Sequence, residues 1–217
     1  MRRPSVSFLI ALAILAWNAS AAAQPVVAQE VAERLAAAIR FPTVSHQDPA
    51  KFDGAPFDGL LDYLAATYPR THALQVERVN QHSLLIEWPG SDASLAPALF
   101  MSHTDVVPVE LAAAEGWTHP PFDGVIADGF VWGRGALDVK NGVILWLEAA
   151  ERLLASGFTP RRSLFFAFGH DEEIGGEAGA ARIAARLKEK GLHFSFLVDE
   201  GGFISEDLGL VPGHRVA

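Results

Sequence analysis

Cysteine is absent from the whole 217-residue chain, which excludes disulfides and thiolate metal sites together. Any metal must therefore be held by His, Asp and Glu, the harder donors that suit zinc, manganese or cobalt. No cluster of lysine and arginine is longer than a pair, and the net charge is −9 with a pI near 5.3. That balance argues against a nucleic-acid partner, which would need a basic face. Internal repeats and low-complexity stretches are also missing. Half of the residues are hydrophobic (50%), enough for a sizeable core and too many for a disordered chain.

The N-terminus reads as a targeting segment. Arg2 and Arg3 precede an apolar run from Val6 to Trp17, and small residues follow to Gln24. A basic start, an apolar run of about 12 residues and an A-x-A site describe a secretory signal peptide, with cleavage expected after Ala21 or Ala23. The run is shorter than the roughly 20 residues of a spanning helix, so residues 1–23 are expected to be removed. The mature chain is then exported, periplasmic or secreted, with no stable membrane span; an uncleaved signal anchor is the alternative.

The chain is organised around Ser163–Gly176, SLFFAFGHDEEIGG. An apolar strand, Leu164–Phe168, runs into three consecutive carboxylates, Asp171, Glu172 and Glu173. Adjacent acids repel and give a strand end no stability of their own, so a cation is expected beside them; the alternative is a solvated acidic loop. Ala98–Ser102 is a second wholly apolar run, typical of a strand buried on both faces, and it delivers His103-Thr104-Asp105 at its carboxyl end. Residues two apart in an extended chain point to one side. Asp105 can therefore fix the tautomer and orientation of His103. Phe194–Val198 reads as one more buried strand and ends in Asp199-Glu200-Gly201-Gly202.

Helices separate these strands. Val26–Arg40 and Phe57–Tyr68 carry helical stripes, Pro69 stops the second, and Ser83–Trp88 reads as a strand. Val125–Ala127 and Phe130–Trp132 flank Asp128-Gly129, a strong hairpin signal. The hairpin presents Gly133-Arg-Gly-Ala-Leu-Asp138 ahead of a long helix, Val139–Ala155. Asp138 is either a helix cap or a further acid of the site; taken alone, its position does not choose. Glu177–Lys190 is an Ala-rich helix closed by Gly191. Parallel strands separated by helices place their carboxyl ends on one edge, where open α/β sheets bind ligands. The expected fold is α/β, a mostly parallel sheet with helices on both faces.

Five motifs in order, S-H-T-D-V-V-P at 102–108, W-x-H-P-P-F-x-G at 117–124, G-R-G-A-L-D-x-K-x-G at 133–142, G-H-D-E-E-I-G-G at 169–176 and V-D-E-G-G at 198–202, resemble the M20 metallopeptidases. The likeness is to the branch of the yeast vacuolar carboxypeptidase and the N-fatty-acyl amino acid synthase/hydrolase, and it covers the chain from Val26 onward. It implies a dinuclear metallohydrolase domain over 24–217, with zinc as the metal, two ions per complete site, and cobalt or manganese as substitutes. It assigns His103 to one ion, Asp138 as the bridging carboxylate, Glu173 to the other ion and Glu200 to the first, with Asp199 the competing choice. Asp105 would orient His103 and Glu172 would be the general base. Val139 departs from the branch, which often has a second Asp there.

The resemblance also implies features that this sequence lacks. One is a late histidine ligand; His214, in a turn-like tail, does not match its position. The other is an inserted lid or dimerisation domain, so the full-length family member can be a homodimer. The chain is expected to be the N-terminal part of the catalytic domain. The function implied is hydrolysis of small peptides or N-acyl amino acids by a metal-activated water. The alternative is a truncated, non-catalytic fragment that keeps a partial metal site.

Overall fold

The computed structural model describes residues 28–110 and 116–201. The expected signal segment, the final DEGG glycine (Gly202) and His214 fall outside them. Helix α1 (28–39) is followed by α2 (Ala55–Thr67), a single turn α3 (Pro69–His72), and strands β1 (Gln75–Val79), β2 (Ser83–Trp88) and β3 (Ala98–His103). Next come the hairpin β4 (Val125–Ala127) and β5 (Phe130–Trp132), helix α4 (Lys140–Ala155), strand β6 (Leu164–Gly169), helix α5 (Ala180–Glu189) and strand β7 (Phe196–Val198). Among the described residues no helix is long and apolar enough to cross a membrane.

The main sheet has the order β1-β2-β6-β3-β7. β6–β3 and β3–β7 pair in parallel, while β1–β2 and β2–β6 are antiparallel. The sheet is thus mixed, and its parallel half carries the three strands expected to bear the site. His103 pairs with Gly169, so β3 and β6 leave the sheet at the same level. β7 pairs Val198 with Phe100, which sends Asp199 and Glu200 to that same edge.

Helices cover both faces. The strict alternation of β6 sends Phe166 and Phe168 toward Leu60 and Leu64 of α2 and Val143 and Leu147 of α4. Phe165 and Ala167 face Ile183 and Leu187 of α5. Each fully buried side chain of this size contributes about 1.5–3 kcal/mol, so these two layers fix the strand ends from which the site is built. The smaller hairpin turns at Asp128 (φ 54°) and Gly129 (φ 81°). Positive φ at both positions is the twist-matched geometry for a two-residue loop.

Several elements differ from expectation. Strand β7 begins at Phe196 rather than Phe194, and its three residues are exposed rather than buried because it is an edge strand paired only with β3 among the described residues. Pro69 ends α2 but also opens α3, since proline suits a first helical position. Helix α5 starts at Ala180 rather than 177 because Gly179 has a non-helical backbone (φ −101°, ψ −89°); the amides of Ala178 and Gly179 donate to the Asp171 carboxylate. Strand β1, QVERV, has only two apolar residues and lies at the sheet edge with an exposed pattern, so its sequence carried little strand signal.

Candidate metal centre

His103 ends the buried strand β3 and is 2% exposed. Its Nδ1 lies 3.2 Å from Oδ1 of Asp105, which is fully buried at 0%. The same carboxylate accepts from the hydroxyl of Ser45 (2.7 Å) and from the backbone amides of Glu172 and Glu173 (3.1 Å each). Burial works against the Asp105 charge, but the bonds from His103 and Ser45 outweigh it and hold the carboxyl below the usual range.

The acidic triplet divides its labour. Asp171, 5% exposed, turns away and accepts from the amides of Ala178 (2.6 Å) and Gly179 (2.7 Å). Glu172 and Glu173 sit in the one-turn 3-10 segment Glu172–Ile174, and their side chains leave toward His103. Glu172 is half-exposed (53%), and Asp171 is the buried member of the triplet.

Around the outer nitrogen of one imidazole three carboxylates converge. His103 Nε2 is 3.0 Å from Glu200 Oε1, 3.1 Å from Asp138 Oδ1 and 3.6 Å from Glu172 Oε2. Two donor sets each lie within 4.8 Å: His103, Asp138 and Glu173, and His103, Glu172 and Glu200. Asp199 belongs to neither; its Oδ1 accepts from the Glu200 amide at 2.9 Å. Helix α4 begins at Lys140 with Val139 at its N-cap and no side-chain cap, so Asp138 stands outside the helix rather than capping it. A cavity of about 410 Å³ opens here, lined by His103, Asp138, Glu172, Asp199 and Glu200 among others.

The centre gathers more acids than bases. Burial pulls the His103 imidazole toward neutrality, but the bond and charge of Asp105, then Glu200 and Glu172, raise its pKa to about 9. Glu173 is pushed up by burial and by Asp138. Glu200 is pushed up by burial, opposed by His103, and pushed further by Asp138 and Glu172. One imidazole cannot satisfy this many acids, and a divalent cation held by N and O donors fits the set.

Two buried polar residues near the centre carried no sequence signal for their roles. Ser45 lies in an irregular stretch after α1. Lys140, 1% exposed, stands in the glycine-rich motif as an unremarked lysine. Its Nζ donates to the carbonyls of Ala38 (3.2 Å) and Phe41 (2.6 Å). Burial lowers its pKa to about 7 against the opposing charge of Asp105.

Comparison with known proteins gives the family. Residues 99–213 match peptidase family M20/M25/M40, and the chain belongs to that family. It is 44% identical over 187 residues to the mouse (Mus musculus) N-fatty-acyl-amino acid synthase/hydrolase PM20D1, covering 84% of this chain and 36% of that protein. It is 41% identical over 186 residues to carboxypeptidase S of Saccharomyces cerevisiae, covering 80% and 32%. The chain thus spans about a third of the length of these relatives. Human carnosine dipeptidase 1 shares the fold, with a TM-score of 0.63 at 22% identity over 82% of this chain and 39% of that one.

Proposed function

We propose that this chain carries metal-binding and catalytic residues of a metal-dependent amidohydrolase acting on peptide or N-acyl amino acid bonds. The observation that carries the proposal is the convergence of Glu200, Asp138 and Glu172 on His103 Nε2 within 3.0–3.6 Å. The acyl-amino-acid and carboxypeptidase names of the relatives support that substrate class. His103 and Glu200 would hold one ion, Glu173 the other, and Asp138 both.

Zinc held there would supply a water of pKa about 7 and would polarise the scissile carbonyl. The chain's residues do the rest. Asp105, sealed from solvent, keeps the His103 ring in one orientation with Nε2 facing the cavity. Glu172 is anchored through its amide but has a half-exposed side chain (53%). Its carboxylate is free to take a proton from the attacking water and return it to the leaving amine. Glu173, next in sequence, leaves the same turn as a ligand, so base and ligand are positioned together.

A second reading, a metal-binding chain without turnover, is favoured by β7. All three of its residues are exposed, with Phe196 at 47% and Leu197 at 53%, so the strand that delivers Glu200 has little packed against it. Zinc reconstitution of the purified chain, with a panel of dipeptides and N-acyl amino acids, separates the two. Turnover that disappears in Glu172→Gln supports the hydrolase. Bound zinc without turnover supports the second reading, and no bound zinc contradicts both.

A further inference from the structure

The stretch after α1 forms a clasp around the turn that bears His103 and Asp105. Thr43 Oγ1 donates to the carbonyl of Thr104 at 2.6 Å, and Ser45 Oγ donates to Asp105 Oδ2 at 2.7 Å. Between them Val44 and Val106 form a parallel bridge, with Ser45 N donating to Val106 O (3.1 Å) and Val106 N to Thr43 O (3.0 Å). Thr43 and Ser45 are two apart in extended chain and so share a face; they are 0% and 2% exposed. Lys140 fastens the start of the clasp through Phe41 O.

The partners of Asp105 are distributed over its two oxygens. Oδ1 faces His103 Nδ1 (3.2 Å) and Glu172 N (3.1 Å). Oδ2 faces Ser45 Oγ (2.7 Å) and Glu173 N (3.1 Å). Ser45 makes the shortest of the four contacts and is the sole partner from a segment that supplies no acid or imidazole to the centre. From this geometry we infer that Ser45 is a positioning residue. Its hydroxyl fixes the rotation of the Asp105 carboxylate, and so sets where Glu173 presents its side chain relative to His103. Without it, Oδ2 keeps a single donor in a sealed environment, the carboxylate can turn, and the Glu173 amide loses its fixed acceptor.

The inference rests on the metal centre proposed above, so its test has one arm that needs no metal. Backbone amide hydrogen exchange on the metal-free 217-residue chain is compared for wild type, Ser45→Ala, Ser45→Thr and Ser83→Ala. Ser83 is another sealed serine, whose hydroxyl meets His170 at 2.6 Å and does not touch Asp105. In Ser45→Ala the Glu173 amide is expected to exchange about tenfold faster or more. Ala178 and Gly179, whose amides go to Asp171, keep their rates. Cobalt titration is the second arm: binding weakens about tenfold in Ser45→Ala, recovers in Ser45→Thr, and is unchanged in Ser83→Ala.

Wild-type exchange at Glu173 in Ser45→Ala overturns the inference. So does an equal loss of cobalt affinity in Ser45→Ala and Ser83→Ala, which would mark a general loss of packing. If the wild-type chain binds no cobalt while Glu173 exchange still responds to Ser45, the coupling stands and the metal-centre reading falls.

Discussion

Asp105 and Glu173 are joined by a single bond, from the Glu173 amide to Oδ2 of Asp105 at 3.1 Å. It ties the acidic turn after β6 to the imidazole-bearing end of β3. The register His103↔Gly169 brings the two strand ends level, and this bond, with that from the Glu172 amide to Oδ1 (3.1 Å), holds the two turns together.

The roles proposed for the adjacent acids Glu172 and Glu173 predict opposite variants. Glu173→Gln is expected to weaken cobalt binding by about tenfold or more. If Glu172 is the proposed proton-transfer group rather than a ligand, Glu172→Gln should leave cobalt binding nearly unchanged and abolish any turnover. Calorimetric titration of the two variants checks the assignment; the same loss of affinity in both would refute it.

Asp138→Ala separates cap from ligand. A lost N-cap costs about 1 kcal/mol, but Asp138 makes no cap bond to α4 and its side chain is 67% exposed. Urea unfolding of the metal-free variant should shift by less than about 0.5 kcal/mol while metal binding is lost.

Glu151 on α4 holds the start of α3: its carboxylate accepts from the amides of Arg70 (3.2 Å) and Thr71 (2.9 Å) and from the Thr71 hydroxyl (2.9 Å). Burial opposes the charge, yet these bonds lower the Glu151 pKa below its ordinary value. A carboxyl depressed in the folded state contributes stability above its unfolded pKa and loses it as pH falls through the folded one. Glu151→Gln should therefore cost about 1–2 kcal/mol near pH 7. The difference from wild type should shrink toward zero below the normal glutamate range, as read from denaturant midpoints across pH.

Gly124 closes the motif at 117–124. Its φ is +56°, and a Cβ there would lie 2.0 Å from the carbonyl oxygen of Ala36 in α1. Gly124→Ala should destabilise the chain by more than about 1 kcal/mol, measured by thermal melting. An unchanged melting temperature would contradict that contact.

Much of the parallel half was legible because its signals are local and strong. Leu164–Phe168 and Ala98–Ser102 are short apolar runs with acids or imidazole at their ends, and the Asp128-Gly129 turn dictates its hairpin. Partners set by tertiary structure were not legible. β1 becomes a strand through pairing with β2, not through its own apolar content. Asp171 looks like its two neighbours in sequence, yet turns inward because the amides of Ala178 and Gly179 wait there. Ser45 has no pattern around it that marks it. Its role exists only because Val44 bridges Val106 and brings the hydroxyl onto Asp105.

The most direct test of the metal centre is calorimetric zinc titration of the purified, chelator-stripped chain alongside His103→Ala. Saturable binding to wild type that disappears in the variant is the expected result. Absence of saturable binding, or equal binding by His103→Ala, would contradict the account.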